Sequence, residues 1–451
     1  MTHKLNYNLI LDADSYKMSH KPLYPEGTTG LHSYIEARSK NDVIIPFGLQ
    51  MWIKKTLLTP FTRSDIDEAE TFAKNHGEPF NRTDWEYILE KYDGFLPLTI
   101  HAIPEGTPVV SSSPIVTVEC TDPNVFWLSS YIETSLQRGV WYPTTIASND
   151  RKNFMALTEF YNKYSDAPGM IPFSLHDFGG RGGTSEESVQ IGSAAHLVYF
   201  MGSDSISGIR AANHYYHSAM SAFSVPATEH SIQCAYGPDK QREYLTKVLD
   251  TYAKPNAIVS IVLDGYDIFR EARLLCTEFK DKIVQSQAKV VFRPDSGDAL
   301  DVIAGLLSMQ SNAFGFTVNS KGLKVINNVG IIQGDGIDLA MMRSILRVST
   351  DLGYAPENVI FGSGGALIQK VNRDTYKFAQ KVSSILINGV WQDVFKDPIT
   401  DQGKKSKAGR LVNENMVKVY ETGKLLVDDT LDTIRERAKS MVILYRCIDK
   451  L

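Results

Sequence analysis

From about residue 165 the apolar positions of the chain fall into a regular rhythm. Short runs rich in apolar and β-branched residues lead into Gly/Asp-rich turns and then, often, into helical stretches. The clearest are SLHDF before GGRGG, VSIVL before DGYD, AKVVF before RPDSGD, VGIIQ before GDGID, and NVIFG before SGGALIQK. Continuous apolar runs mark strands buried on both faces, and their alternation with helices builds a parallel sheet. The polar loops after the C-terminal ends of such strands gather at one end, where ligands bind. The rhythm therefore predicts an α/β fold whose loops converge on one site, and leaves open whether the sheet closes into a barrel.

Residues 1–140 read differently, as short strands mixed with helices. SDIDEAETFAKNHG and TDWEYILEKYDG have the form of capped surface helices ended by Gly, with Thr83 and Glu86 as the cap of a helix beginning near Trp85. HAIPEGTPVVSSSPIVTVEC has the form of a Pro-punctuated β-hairpin. The stretch from about 386 is basic around KKSKAGR and then reads as strands and a terminal helix that pack back on the N-terminal part. The expected domains are 151–385 as the α/β unit, and 1–150 together with 386–451 as a mixed α+β unit. No internal repeat is evident.

Composition narrows the classes. The 451 residues are 43% hydrophobic and 22% charged, which suffices for a large core and excludes a disordered chain. The net charge of −5 argues against a partner held by bulk positive charge, such as nucleic acid. An anionic ligand must be met by a local cluster of cations. No apolar run reaches the ~18 residues of a membrane span, and the start lacks a signal-peptide core. Cys120, Cys234, Cys276 and Cys447 form no C-x-x-C pair and read as free buried thiols of a cytoplasmic protein.

The loops carry the candidate chemistry. In SGGALIQKVNRD, Gly364 and Gly365 let the backbone approach a ligand, a helix starts just after them, and Arg373 lies about two turns along; a helix start suits a phosphate. A tight β–α turn without ligand is the competing reading. No G-x-x-x-x-G-K-[ST] is present, which excludes a P-loop nucleotidase. In RPDSGD, Arg293 and Asp295 alternate on an extended segment and can face one cavity. In GDGID, Asp335 stands between two glycines, suited to sugar hydroxyls or Mg²⁺. Each of these acids has an equally simple reading as the cap of the following helix. SLHDFGGRGG presents His176, Asp177, Phe178 and Arg181, with Phe178 either core or a stacking surface. His214 and His217 have i, i+3 spacing, but no third ligand has metal-site spacing, so structural zinc is disfavoured. His196 reads as a core histidine. His230 follows Glu229, and that neighbouring carboxylate would make it a stronger base or nucleophile.

Assembled, these residues resemble the nicotinamide phosphoribosyltransferase family. DSYKMSH, LHDFGGRG, MGSD, SVPATEH, LDGYDIF, FRPDSGD, IQGDGID, FGSGGALIQKVNRD and VFKDP followed by KKSKAGR occur in the family's order along nearly the whole chain. The resemblance implies an irregular parallel α/β barrel with a second mixed α+β domain, a homodimer with sites at the interface, and transfer of phosphoribosyl from phosphoribosyl pyrophosphate to nicotinamide. It implies that Phe178 and the partner subunit's Tyr16 sandwich the pyridine ring, and that Asp204 accepts from the carboxamide. Arg293, Asp295, Gly334, Asp335 and Gly365 would contact the nucleotide, and Arg181 and Arg373 its phosphates. Arg38, Lys396 and Lys404 would complete a pyrophosphate clamp from the neighbouring subunit. His230 matches the histidine that the family phosphorylates with ATP, Asp264 would orient it, and Mg²⁺ would assist. One departure is Gly180, where the family pattern has a tyrosine. The rival readings are a nicotinate or quinolinate phosphoribosyltransferase, a non-catalytic relative, and an unrelated barrel glycosidase working through paired carboxylates.

Overall fold

The computed structural model describes residues 5–400, 404–411 and 414–440. Cys447 lies outside them. The chain divides into two compact units: the described parts of Met1–Ser148, His214–Ser218 and Asn372–Leu451 form one, and Asn149–Asn213 with Ala219–Val371 the other. The second boundary thus falls at 371/372, earlier than the 385/386 that the sequence pattern suggests. The reason is pairing: Phe378–Ile387 is a strand that runs antiparallel to Thr28–Ala37, so it belongs with the terminal parts.

The first unit is built on a seven-stranded sheet, antiparallel at each pairing, in the order Val390–Asp393, Phe378–Ile387, Thr28–Ala37, Pro114–Cys120, Leu98–Ala102, Val417–Glu421, Lys424–Leu425. Leu98–Ala102 alternates buried and half-buried positions, as a strand with one covered face must. Trp85, Trp127 and Tyr131 pack edge-to-face in its core. The expected helices form as Arg63–His76 and Arg82–Tyr92. The cap of the second is Asn81, whose side chain accepts from the Asp84 N–H, in place of Thr83; Asp93 in the left-handed conformation, followed by Gly94, ends it. Asn places its carbonyl over the first turn from outside the helix, whereas Thr83 is already inside it.

The second unit holds a six-stranded, wholly parallel sheet. Its strands are β1 (Leu175–Asp177), β2 (Gly202–Ser203), β3 (Ile258–Val262), β4 (Lys289–Arg293), β5 (Val329–Gln333) and β6 (Val359–Ser363), in the spatial order β2-β1-β6-β5-β4-β3. β5 is buried at every position, and each fully buried Val, Ile or Leu contributes ~1.5–3 kcal/mol. The two sheet edges do not stay open. Phe223–Thr228 runs parallel between β2 and β3: the Ser203 N–H donates to Phe223 O (3.2 Å) and the Phe223 N–H to Met201 O (2.8 Å). On the other side the Ser260 N–H donates to Pro226 O (2.9 Å) and the Thr228 N–H to Ser260 O (3.0 Å). This segment closes the sheet into an irregular barrel. Pro226 fits because its missing N–H is never required there.

Cys276 is buried, Cys120 half-buried and Cys234 exposed, and all three are free thiols, so burial holds for only part of the expectation. No helix among the described residues is long and apolar enough to cross a membrane.

Candidate active site

Every stave of the barrel ends in a candidate residue. Phe178 and Arg181 follow β1, Asp204 follows β2, and His230 follows the closing segment. Asp264 follows β3, Arg293 and Asp295 close β4, Gly334 and Asp335 follow β5, and Gly365 follows β6. Contacts join them around one mouth. The Phe178 N–H donates to Ser363 O (2.9 Å) and the Asp204 N–H to Asp177 O (3.0 Å). Asp177 is itself fully buried and accepts from the Gly179 N–H (2.7 Å) and the Ser203 hydroxyl (3.2 Å), which fixes the ring of Phe178 and the carboxylate of Asp204 on one short frame.

The Phe178 ring lies on backbone. A Cβ at Gly362 would stand 2.0 Å from its Cε2, and one at Gly334 would stand 3.5 Å from Cε2 and 3.3 Å from Asp295 Oδ1. Asp295 in turn meets Arg293 (Nη2–Oδ2 3.5 Å), and Arg293 Nη1 donates to Thr228 O (3.2 Å), two residues before His230. Arg293 Nε is buried without a partner, an unused donor beneath these contacts. Arg181 is exposed on the tight turn Gly179–Gly182, and Gly182 of that turn packs on Gly365, with 3.6 Å from a Cβ there to Gly365 Cα.

Asp204 is exposed and takes a short hydrogen bond on Oδ1 from the Ser224 hydroxyl. Burial holds the neighbouring His176 imidazole below its usual range, so it is neutral at pH 7 and supplies no cation to Asp204. Gly180 is exposed, and a Cβ there would sit 3.1 Å from Ser205 Oγ, so any side chain at that position would press on Ser205.

His230 opens the short helix His230–Ala235, and its Nε2 lies 2.9 Å from Asp264 Oδ1; the His230 side chain is 44% exposed and that of Asp264 5%. The pairing with Asp264 is the one the resemblance implies; Glu229, which adjacency alone suggests, is the helix N-cap residue and its carboxylate accepts from the Ser231 hydroxyl. His196 is a core histidine, ion-paired to Asp150 at 2.8 Å.

The choice between capping and chemistry for the loop acids resolves into a division of labour. Three loops share the spacing D-x-x-D: Asp264/Asp267, Asp295/Asp298 and Asp335/Asp338. In each, the second acid caps the following helix. Asp267 accepts from the Phe269 and Arg270 N–H groups (both 3.0 Å), Asp298 from those of Leu300 (2.9 Å) and Asp301 (3.1 Å), and Asp338 from that of Met341 (3.0 Å). The first acid of each pair is released from capping. Asp298→Ala should therefore cost ~1 kcal/mol of stability with much of the activity retained, while Asp295→Ala should leave the melting temperature in place and remove most turnover. A paired measurement of Tm and kcat checks both.

The glycine loop differs from expectation. Its helix is the single turn Gly365–Ile368, so Arg373 does not ride on it. Asn372 starts a competing side-chain turn, accepting from the Asp374 N–H (2.8 Å) while the Asn372 N–H donates to the Thr375 hydroxyl (3.0 Å). Arg373 belongs to the first unit.

That unit carries its own cations. Arg38 Nε and Lys407 Nζ share the buried carboxylate of Glu36 (3.0 and 2.7 Å), and Arg38 Nη2 is buried without a partner. Lys396 is exposed and tied to Ser406 by two backbone-centred bonds of 2.8 Å; Lys404 is exposed. Tyr16 is 53% exposed on the turn Ser15–Ser19. Sequence reasoning missed Lys381. Burial holds its ammonium below the usual range, and repulsion from Arg38, Lys17 and Arg373 adds to this against the pull of Glu133. A lone lysine on a strand gives no motif by which to find it.

Comparison with known proteins fits this geometry. Residues 173–424 match the nicotinate phosphoribosyltransferase family, and 8–100 match the nicotinamide phosphoribosyltransferase N-terminal domain. A Xanthomonas campestris pv. campestris protein named nicotinamide phosphoribosyltransferase is 43% identical, over 96% of this chain and 98% of its own. The chain belongs to the nicotinamide phosphoribosyltransferase family. It is an enzyme of the phosphoribosyltransferase class. A second family member, from Acinetobacter baylyi, is 32% identical over 94% of this chain and 95% of its own. Two solved structures share the fold at low identity. Nicotinate-nucleotide pyrophosphorylase from Pyrococcus furiosus has a TM-score of 0.60 at 15% identity, covering 99% of each chain. Human nicotinic acid phosphoribosyltransferase has a TM-score of 0.59 at 13% identity, covering 95% of this chain and 93% of that one.

Proposed function

We propose that this family member joins nicotinamide to phosphoribosyl pyrophosphate, giving nicotinamide mononucleotide and pyrophosphate in NAD salvage. The reading also takes it to act in the cytoplasm as a homodimer that couples the reaction to ATP through His230. The observation that carries it is the frame around Asp177, which sets a half-buried aromatic ring beside an exposed carboxylate, with Arg293 and Asp295 across the same mouth.

The chemistry asks for these groups. The ring nitrogen of nicotinamide is already a neutral nucleophile, so no base need deprotonate it. The barrier lies at the sugar, where C1 gains oxocarbenium character as pyrophosphate departs. Phe178 orients the flat ring toward C1. Arg181, with the unused Nε of Arg293, meets the negative charge of the leaving group and the 5′-phosphate. Asp335, released from capping by Asp338, suits the ribose hydroxyls. Tyr16, Arg38, Arg373, Lys381, Lys396 and Lys404 would serve from the neighbouring subunit, which explains how an acidic chain holds so anionic a substrate.

No group of three His, Cys, Asp or Glu among the described residues is placed to cage a metal. Two carboxylates not used as helix caps, Asp295 and Asp335, do suit Mg²⁺, which prefers to share its shell with water and substrate phosphates. When bound it would neutralise charge on the pyrophosphate.

At His230, the Asp264 carboxylate accepts from Nε2–H, which leaves the lone pair of the neutral ring on Nδ1. Attack of Nδ1 on the γ-phosphorus of ATP forms an N–P bond, breaks the bond to the bridging oxygen and releases ADP. The charge on the resulting phosphoimidazolium is balanced by Asp264. A nicotinate-specific reading is disfavoured by Asp204, which would face a second carboxylate. The test is nicotinamide mononucleotide formation with and without ATP, in wild type and in His230→Ala. Loss of ATP stimulation and of ATP hydrolysis in the variant is expected; both persisting would remove the phosphohistidine from the scheme.

A further inference from the structure

Two buried glutamines tie the His230 helix to the Asp264 loop. Gln233 lies one turn after His230 and is fully buried, and Gln241 is nearly so. Gln233 Oε1 accepts from the Gly265 N–H at 2.9 Å, and Gln233 Nε2 donates to Gln241 Oε1 at 2.9 Å. Gln241 Nε2 donates to two carbonyl oxygens, Gly237 (2.7 Å) and Gln233 (3.3 Å). The chain of bonds fixes both amides. Carbonyls only accept, so Gln241 must present its nitrogen to them and its oxygen to Gln233. Gln233 must then present its own nitrogen to Gln241, which leaves its oxygen for the Gly265 N–H. Flipping either amide would set like groups against each other.

The same helix and loop are therefore joined twice, by His230–Asp264 at 2.9 Å and by Gln233–Gly265 at 2.9 Å. A Cβ on Gly265 would stand 2.5 Å from Gln233 Oε1, so this approach depends on glycine. Buried amides cost free energy that apolar side chains of the same size would not. A structural filler would have no need of them.

We infer that Gln233, held in orientation by Gln241, is a positioning residue for the His230–Asp264 pair. By anchoring Gly265 it keeps the adjacent Asp264 on Nε2, and so reserves Nδ1 as the reacting nitrogen. The inference rests on the proposed role of His230, and its test separates the two. In the full-length enzyme labelled with ¹⁵N-histidine, wild type should show His230 as a single Nε2–H tautomer. Gln233→Met should give a mixture, with phosphohistidine formation from ATP slowed about tenfold and the KM for nicotinamide unchanged. The tautomer reads the clamp even if wild-type His230 proves never to be phosphorylated. A folded Gln233→Met enzyme with the wild-type tautomer overturns the inference. Should that variant not fold, Gln241→Met frees the Gln233 amide to turn, and an unchanged tautomer there overturns it equally.

Discussion

Asp204→Ser should abolish the choice between nicotinamide and nicotinate. On the proposed reading the wild-type carboxylate accepts the amide N–H of nicotinamide, whereas nicotinate would bring a second negative charge to the same place. Two charges about 4 Å apart near a protein surface repel by ~4 kcal/mol, and a polar site deprived of its complementary group discriminates by ~10⁴-fold or more. The geometry supports a fixed rather than a yielding carboxylate: the Asp204 N–H is bonded to Asp177 O, and Oδ1 is held by Ser224. With His176 neutral, no nearby imidazolium softens the repulsion. The expected result is a ratio of kcat/KM values (nicotinamide over nicotinate) of ~10³ or more in wild type that falls toward one in Asp204→Ser. The fall should come partly from a gain with nicotinate. Equal use of both bases by the wild-type enzyme would remove Asp204 from the selectivity argument.

Much of this site is legible in the sequence, for a physical reason. Strands buried on both faces must be apolar throughout, and the loop at the end of each must turn sharply and cap the next helix. SLHDF, VSIVL, AKVVF, VGIIQ and NVIFG announce their strands, and Asp/Gly turns announce the mouth. What stayed hidden depends on partners distant in sequence. Phe223–Thr228 closes the barrel mainly through backbone bonds, with the Thr228 hydroxyl accepting from the Val262 N–H, and its Pro226 argues against a strand when seen without its neighbours. The partner of His230 lies in another loop: the motif resemblance points to Asp264, whereas adjacency alone points to Glu229, which bonds Ser231 instead. The helix after Gly365 stops at Ile368, and the chain re-forms as the side-chain turn that Asn372 opens. The D-x-x-D spacing was visible throughout, but which acid caps and which is free could be told only from the helix starts. Gln233 and Lys381 belong to no motif, and each gains its meaning from groups across the fold.

Gly362→Ala tests the stacking platform more severely than any change to the ring itself. The added methyl would stand 2.0 Å from Phe178 Cε2 and 2.2 Å from Cδ2, so one of the two must move. The backbone has little room to yield. Gly362 lies within β6, in register with His176 of β1, and the Phe178 N–H is bonded to Ser363 O at 2.9 Å. The ring must therefore turn out of its plane. Overpacking of this kind costs ~1–3 kcal/mol of stability. The larger effect is on chemistry, because a misaimed nucleophile loses its near-attack geometry and ~10²-fold in rate. We expect kcat/KM for nicotinamide to fall by ~10²-fold or more, while Gly334→Ala, whose methyl would stop 3.5 Å from the same ring, stays much closer to wild type. The double variant Phe178→Ala/Gly362→Ala removes the clash along with the ring, so it should be no worse than Phe178→Ala alone, a strong non-additivity that a double-mutant cycle reads directly. Additive losses, or a Gly362→Ala enzyme with wild-type kinetics, would show that the ring of Phe178 is not what aims the base.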